Sequence, residues 1–402
     1  MVDVCTLAVD AAGLRALTRD LIRIESVTPP GHEGPVADRL AGHLTQLGLD
    51  VRRLGAAADR PNLIARLPGR RGSPVLLLNG HMDVLAPGHG WTVDPFGAVE
   101  DGDRIMGRGA IDMKGGLAVM AYVADTLVRN RIRLDGDLVI NAVADEVGGS
   151  RYGTQYLVDR GALAADYAVV CEPTGQALYL AHRGALWLEL TVTGKAAHGG
   201  RPWRGVNAIA KTARIIQAME TRLLPAWQTR THPLLPPPTL NLGTIVGGEQ
   251  VNLVADRCVA TLDRRLLPGE SADAVEAEVH EFLRALRRQD AESWNFSLTR
   301  MMVREPYEIA ADAPLVQHAR AAYREVTGRD LRLTATAGFE DAGLLARAGM
   351  ETIMFGPYYD RDEDDPSLSG SSAEYVRVPD LVTATRILTG LALRLLGGET
   401  TT

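Results

Sequence analysis

Apolar residues recur at helical spacing near the start of the chain. Leu14, Leu17, Leu21 and Ile22 predict a helix over residues 13–25, which Thr28-Pro29-Pro30-Gly31 breaks. Val36, Leu40, Leu44 and Leu47 form the stripe of a second helix over 33–47, with Gly48 suited to its C-terminal cap. Strands are predicted at 62–67 and 75–79. A helix at 113–129 follows, with Leu117, Met120, Ala121, Ala124 and Leu127 on its apolar side. Strands at 137–144 and 166–171 enclose a helix at 153–160. This alternation predicts an α/β domain with a mostly parallel sheet and helices on both faces.

The texture changes near Arg183. Residues 185–193 alternate in part and read as a strand with one wet face. A helix at 206–221, a proline-rich loop at 233–238, strands at 239–246 and 256–266, a helix at 272–288 and a strand at 295–302 follow. They predict a smaller α+β unit, one antiparallel sheet with two helices on one face. After Glu305-Pro306 the first pattern returns, with helices at 313–327, 340–347 and 379–396 and a strand at 351–355. The resulting parse is one α/β domain, 1–182 plus 305–402, interrupted by an inserted domain at 183–304.

A length of 402 residues accommodates two cores. The net charge of −7 argues against a general nucleic-acid or membrane-surface binder. Cys5, Cys171 and Cys258 are too few and too scattered for a disulfide framework or a cysteine metal site. With no signal-like N-terminus and no stretch long enough to span a bilayer, the expectation is a cytoplasmic protein.

Chemistry gathers at predicted strand ends. His81 closes the apolar run 75–79, Asp112 precedes a helix, Asp145-Glu146 follow the strand 137–144, and Glu172 follows the strand 166–171. Ligands of open α/β sheets collect outside the carboxyl ends of strands, so these groups are placed to converge. An imidazole and several carboxylates suit zinc, and also manganese or cobalt. Asp83, two residues from His81, is placed to accept the spare imidazole N–H. Taken singly, each group has an ordinary explanation: a helix cap, a solvated turn, a structural histidine.

The blocks His81-Met82-Asp83, Gly107-Arg108-Gly109-Ala110-Ile111-Asp112-Met113-Lys114-Gly115-Gly116, Asp145-Glu146-Val147-Gly148-Gly149 and Glu172-Pro173-Thr174 resemble those of the M20 metallopeptidases, a family of deacylases and carboxypeptidases. Within the inserted domain, Gly194 to Pro202, Gly247 to Asn252 and Asp263 to Gly269 resemble its lid motifs. The resemblance implies zinc, one or two ions per chain. His81, Asp112 and Glu172 would hold one ion, Asp112 would bridge to a second held by Glu146, and Asp83 would orient His81. It implies a homodimer through the lid, in which His198 reaches the partner's site. It also implies that Arg183, Asn252 and Arg265 grip a substrate carboxylate, a task suited to arginine's planar fork.

Two departures bear on function. The family usually has Glu-Glu before the glycine pair, the first as general base and the second as ligand. Gapless alignment puts Asp145 at the base position and Glu146 at the ligand position. The other alignment makes Glu146 the base and loses the ligand. The family's last metal-binding histidine is matched by Gly370, four residues before Glu374-Tyr375-Val376, and no histidine follows His318. The second metal is therefore expected to be weakly held, rebuilt from the acidic run 360–365, or absent. Phe339, Glu340, Tyr358 and Tyr359 are expected to reshape the substrate pocket. The leading expectation is a metal-dependent amidohydrolase acting on an N-acyl amino acid or small peptide with a free carboxylate. Its rivals are non-hydrolytic acyl or amide chemistry on the same scaffold, and a non-catalytic binder of small acids.

Overall fold

The computed structural model describes residues 2–357 and 371–400. Tyr358, Tyr359, the acidic run 360–365, Ser369 and Gly370 lie outside the described residues. The chain divides into two compact units, Met1–Leu180 with Ile309–Thr334 and Glu340–Thr402, and Ala181–Glu308 with Ala335–Phe339. The stretch Ala335–Phe339 thus belongs to the second unit although the chain on either side of it belongs to the first.

The first unit has the α/β architecture that the alternation predicts. Its sheet runs in the order Asp50–Ala57, Arg60–Leu67, Asp137–Val143, Val75–His81, Tyr167–Val170, Glu351–Met354, Leu178–His182. The four strands from Asp137–Val143 to Glu351–Met354 are parallel, and antiparallel strands flank them. Strands buried on both faces read as continuous apolar runs, which explains Leu76-Leu77-Leu78. Leu76, Leu78, Leu138, Ile140 and Val169 share one core with the helices Ala11–Arg23, Gly34–Gln46, Gly115–Arg129, Pro314–Thr327 and Val378–Leu396. Across the sheet, the short helix Ala342–Arg347 packs on Tyr167–Val170 and Glu351–Met354, beside Thr154–Asp159.

Gly115–Arg129 is buried on every side from Gly115 to Leu127, because it is packed between the sheet and the helices Ala11–Arg23, Gly34–Gln46 and Val378–Leu396. Small residues let it sit close. A Cβ on Gly116 would come within 2.4 Å of the Cys171 carbonyl oxygen, so only glycine allows the helix to approach the strand end that leads to Glu172.

Several strands escape sequence reading, and two of them show why. Asp50–Ala57 is largely exposed and carries Arg52, Arg53 and Gly55, so it lacks an apolar signal. Leu178–His182 is too short and follows a turn too closely to stand out.

The second unit is a four-stranded antiparallel sheet in the order Thr239–Gly247, Arg257–Leu266, Gly184–Thr193, Asn295–Arg304. Leu186, Leu188, Leu190 and Val192 pack with Cys258, Leu262 and Leu266 against the helices Ala208–Ala218 and Ala272–Gln289. The outer strand Thr239–Gly247 leaves Ile245 and Val246 exposed, and Val251 just beyond it is fully exposed. Among the described residues, no helix is long and apolar enough to cross a membrane.

One buried ion pair ties distant parts of the first unit together. Arg108 Nη1 meets Glu374 Oε2 at 2.7 Å, and Glu374 Oε1 accepts the backbone N–H groups of Ile111 (2.8 Å) and Asp112 (3.0 Å). Both side chains are essentially inaccessible to solvent. Breaking such a pair leaves an uncompensated buried charge. Glu374→Ala is expected to lower the stability of the metal-free protein by about 3–5 kcal/mol, read as a lower urea midpoint. Glu374→Gln, which keeps an acceptor for the two amides, should lose less.

Candidate metal centre

The parallel strands end side by side, and their ends carry the polar groups. His81 is the last residue of its strand and lies opposite Val143, the last of the next. Glu172 follows the end of the third strand by two residues. The His81 ring is buried. Its Nε2 is 2.8 Å from Asp112 Oδ1 and 3.6 Å from Glu172 Oε1. One donor atom each from His81, Glu146 and Glu172 lies within 4.8 Å of the others. The structure therefore brings His81, Asp112, Glu146 and Glu172 together.

Asp83 does two things at once. Its backbone carbonyl accepts from His81 Nδ1 at 2.8 Å, which leaves Nε2 pointing at the carboxylates. Its carboxylate is 3.6 Å from that nitrogen, too far for a hydrogen bond. It accepts instead the N–H groups of Glu146 (3.1 Å) and Val147 (3.2 Å). Sequence spacing anticipates the partner residue, and the acceptor it offers the ring is its backbone carbonyl.

That anchored turn separates the adjacent acids. Asp145 sits at φ +65°, a left-handed conformation uncommon outside glycine and easier for Asp than for most residues. Its carboxylate turns to Arg60 Nη1 at 3.1 Å and accepts the Tyr152 N–H at 3.1 Å. Arg60 is occupied further by Glu33 (Nη2 to Oε1, 2.6 Å) and stands over the Tyr152 ring. Asp145 thus faces a fixed cation, whereas Glu146 faces His81 and Glu172. The favoured alignment gave Asp145 the part of base and Glu146 that of ligand; the structure turns Asp145 onto Arg60 and groups Glu146 with His81 and Glu172. Arg60 and Glu33 went unnoticed because nothing local marks a pair 27 residues apart.

The electrostatics agree with a cation site. Burial opposes protonation of His81, but Glu172, Asp112 and Asp83 outweigh it and hold its pKa well above the imidazole range. Burial pushes the Glu172 carboxyl up to about 8, and burial with Glu340 and Glu172 as neighbours pushes Glu146 well above the carboxylate range. A dication in place of protons removes all three penalties. The donor set, one imidazole nitrogen and carboxylate oxygens, fits zinc, manganese or cobalt.

In the second unit, His198 is exposed, its Nδ1 accepting the Gly200 N–H at 3.0 Å. Asn252 lies on the adjoining loop, its carbonyl accepting the Gly199 N–H at 2.7 Å. Arg183 donates from Nε to the Ala337 carbonyl at 2.8 Å. Burial and the Arg265 charge lower its pKa, which marks two guanidiniums crowded together. Arg265 pairs with Asp263 at 3.0 Å and lies over the Phe339 ring.

Comparison with known proteins now decides the family. The model of peptidase family M20/M25/M40 matches residues 77–394, most of the chain and every donor named above. The chain belongs to peptidase family M20/M25/M40. This M20 chain is 32% identical over 352 residues to a succinyl-diaminopimelate desuccinylase of Gluconobacter oxydans strain 621H, covering 83% of this chain and 86% of that protein. It is 29% identical over 405 residues to an N-formyl-4-amino-5-aminomethyl-2-methylpyrimidine deformylase of Halalkalibacterium halodurans, covering 93% and 92%. Its fold matches that of an M20 peptidase of Bacillus subtilis described as dinuclear metal binding, with a TM-score of 0.71, 16% identity and coverage of 97% and 99%. Metal-dependent amide hydrolysis is the general chemistry of these M20 relatives.

The raised pKa values set the pH dependence of the metal-free protein. Between the ordinary 4.5 and about 8, folded Glu172 keeps a proton that the unfolded chain has released. Stability is then fully present below about pH 4.5 and is lost as pH rises through about 8. Thermal melts of the metal-free protein should show Tm falling over that window. Added zinc should raise Tm more at pH 8 than at pH 5, because binding then displaces fewer protons. A Tm that is flat across the window in the metal-free protein would count against the cluster.

Proposed function

We propose that this chain is a divalent-metal-dependent amidohydrolase, zinc being the favoured ion, that cleaves the amide of an N-acyl amino acid or a small peptide bearing a carboxylate. The observation that carries this reading is the gathering of buried His81, Glu146 and Glu172 with half-buried Asp112 at the carboxyl edge of the parallel sheet. His81, Asp112 and Glu172 hold one cation. When bound, the metal supplies Lewis acidity, activating water and polarising the scissile carbonyl.

The chain's own groups do the rest. Glu146 is the general base, taking a proton from the attacking water and delivering it to the leaving amine. This is the alternative alignment, and the commitment of Asp145 to Arg60 supports it. Asp145 is a positioning residue that shapes the turn presenting Glu146. Asp83 fixes the His81 tautomer. Arg183, Asn252 and Arg265 bind the substrate carboxylate, and His198 stabilises the oxyanion. We place His198 in the partner subunit's site, in a homodimer built on the lid, because the outer strand Thr239–Gly247 presents the unpaired edge and exposed Ile245 and Val246 that such a contact covers.

A panel of N-acyl amino acids and dipeptides, assayed with zinc, cobalt and manganese and after chelation, tests the activity. Metal binding without hydrolysis of any member would favour the non-hydrolytic reading. Glu146→Gln should lower kcat by about 10²–10⁴-fold while bound metal remains. Mixing two inactive variants tests the shared site. Heterodimers of His198→Ala and Glu146→Gln should recover activity, because one of their two sites has both groups intact. No recovery in confirmed heterodimers would place His198 in its own subunit's chemistry.

A further inference from the structure

A general base must stand in one place, because a displacement of about 1 Å can cost on the order of 10²-fold in rate. Glu146 stands on a turn whose backbone is fixed from both sides. Its own N–H donates to Asp83 Oδ1 at 3.1 Å. The residue before it is held at four points. The Asp145 N–H donates to Glu33 Oε1 at 3.3 Å, and the Asp145 carbonyl accepts the Ser150 N–H at 2.5 Å. Asp145 Oδ2 accepts the Tyr152 N–H at 3.1 Å, and Oδ1 meets Arg60 Nη1 at 3.1 Å. Together these contacts keep Asp145 at φ +65°, a conformation few residues adopt unaided.

Arg60 joins the parts of this cradle. Its Nε donates to Glu33 Oε2 at 3.1 Å, and its Nη2 donates to Glu33 Oε1 at 2.6 Å and to Thr28 Oγ1 at 3.1 Å. The guanidinium thus binds Glu33 along one side and reaches Asp145 with its remaining arm. That geometry needs a planar fork, and an ammonium cannot copy it. Glu33 in turn accepts from both the cation and the Asp145 N–H, so cation and turn share one support. Arg60 is 8% exposed, Asp145 5% and Glu33 0%, so solvent screens the cluster little. The packing also leaves no slack. A Cβ on Gly31 would come within 2.3 Å of Arg60 Nε, and one on Gly148 within 2.4 Å of Asp145 Oδ1.

We propose that Arg60 is a positioning residue for turnover: it locks Asp145, and through Asp145 it aims Glu146 at His81 and Glu172. The proposal rests on the reading of Glu146 as the base. It also gives the aspartate at position 145 a reason, since a glutamate would carry its carboxylate one methylene too far for the cradle.

The test separates turnover from binding. Arg60→Ala, Arg60→Lys and Asp145→Glu are assayed with zinc on the best hydrolysed member of the panel above, with rates normalised to folded, metal-loaded protein. Each should lose kcat by about tenfold or more, with KM within about twofold of wild type and metal per chain unchanged. Guanidinium ion, at concentrations that leave the wild-type rate unaltered, should restore part of the kcat of Arg60→Ala and none of that of Asp145→Glu. Where Arg60→Ala does not fold, Asp145→Asn replaces it; this variant keeps the shape but drops the charge that Arg60 meets, and its kcat should fall in the same way. Unchanged kcat in the Arg60 variants, with Glu146→Gln inactive, would overturn the proposal and leave the metallohydrolase reading intact. An Asp145→Glu enzyme faster than wild type would overturn it as well. Glu146→Gln turning over at the wild-type rate would remove the reading on which it rests. If no member of the panel is hydrolysed, crystal structures of the variants decide: a displaced Glu146 carboxylate supports the proposal, and one unmoved beside His81 and Glu172 overturns it.

Discussion

Carboxylates gathered around His81 repel one another, and the surrounding structure reads as a set of answers to that repulsion. In a buried recess, like charges a few ångströms apart are costly unless protons or a cation intervene. Nothing about the sheet itself requires them to meet. They meet because the strand ends lie in register and because separate anchors hold each donor. The Asp83 carbonyl sets the imidazole, its carboxylate holds the turn under Glu146, and Glu374 holds the turn at Asp112. The anchors are themselves acids, which adds to the negative field and sharpens the demand for a dication.

Within that field, the treatment of Asp145 and Glu146 shows how neighbours in sequence acquire opposite fates. A single left-handed residue turns one carboxylate onto Arg60 and the next toward His81. Arg60 serves Asp145, Glu33 and the Tyr152 ring together, so its guanidinium is spent before it reaches the metal cluster. Without that diversion, one more negative charge would face the imidazole.

Much of the architecture was legible in the sequence because burial leaves a periodic trace. Leu76-Leu77-Leu78 announces a strand covered on both faces, and the glycine-rich block around Asp112 marks a turn leading into a buried helix. His81, Asp112, Glu146 and Glu172 were legible as candidates because all sit at strand or helix ends. The exposed strand Asp50–Ala57 left no such trace. Nor did the turning of Asp145 onto Arg60, a residue from another strand. The oxygen that Asp83 offers to His81 was equally hidden, because spacing specifies a residue and not which of its acceptors turns inward. Glu340 was noticed as a departure, but the bonds of its neighbour Asp341 to Ser150 and Thr154, nearly two hundred positions earlier, left no trace.

The reach of Glu374 has a consequence for the order of assembly. It fixes the turn at Asp112 across a separation of 262 residues. During synthesis, His81, Asp112 and Glu172 leave the ribosome long before the group that secures the middle one. Until the segment around residue 374 arrives, the nascent chain carries the donors but not their geometry. The turn at Asp112 thereby gains its anchor only when nearly the whole chain has been made.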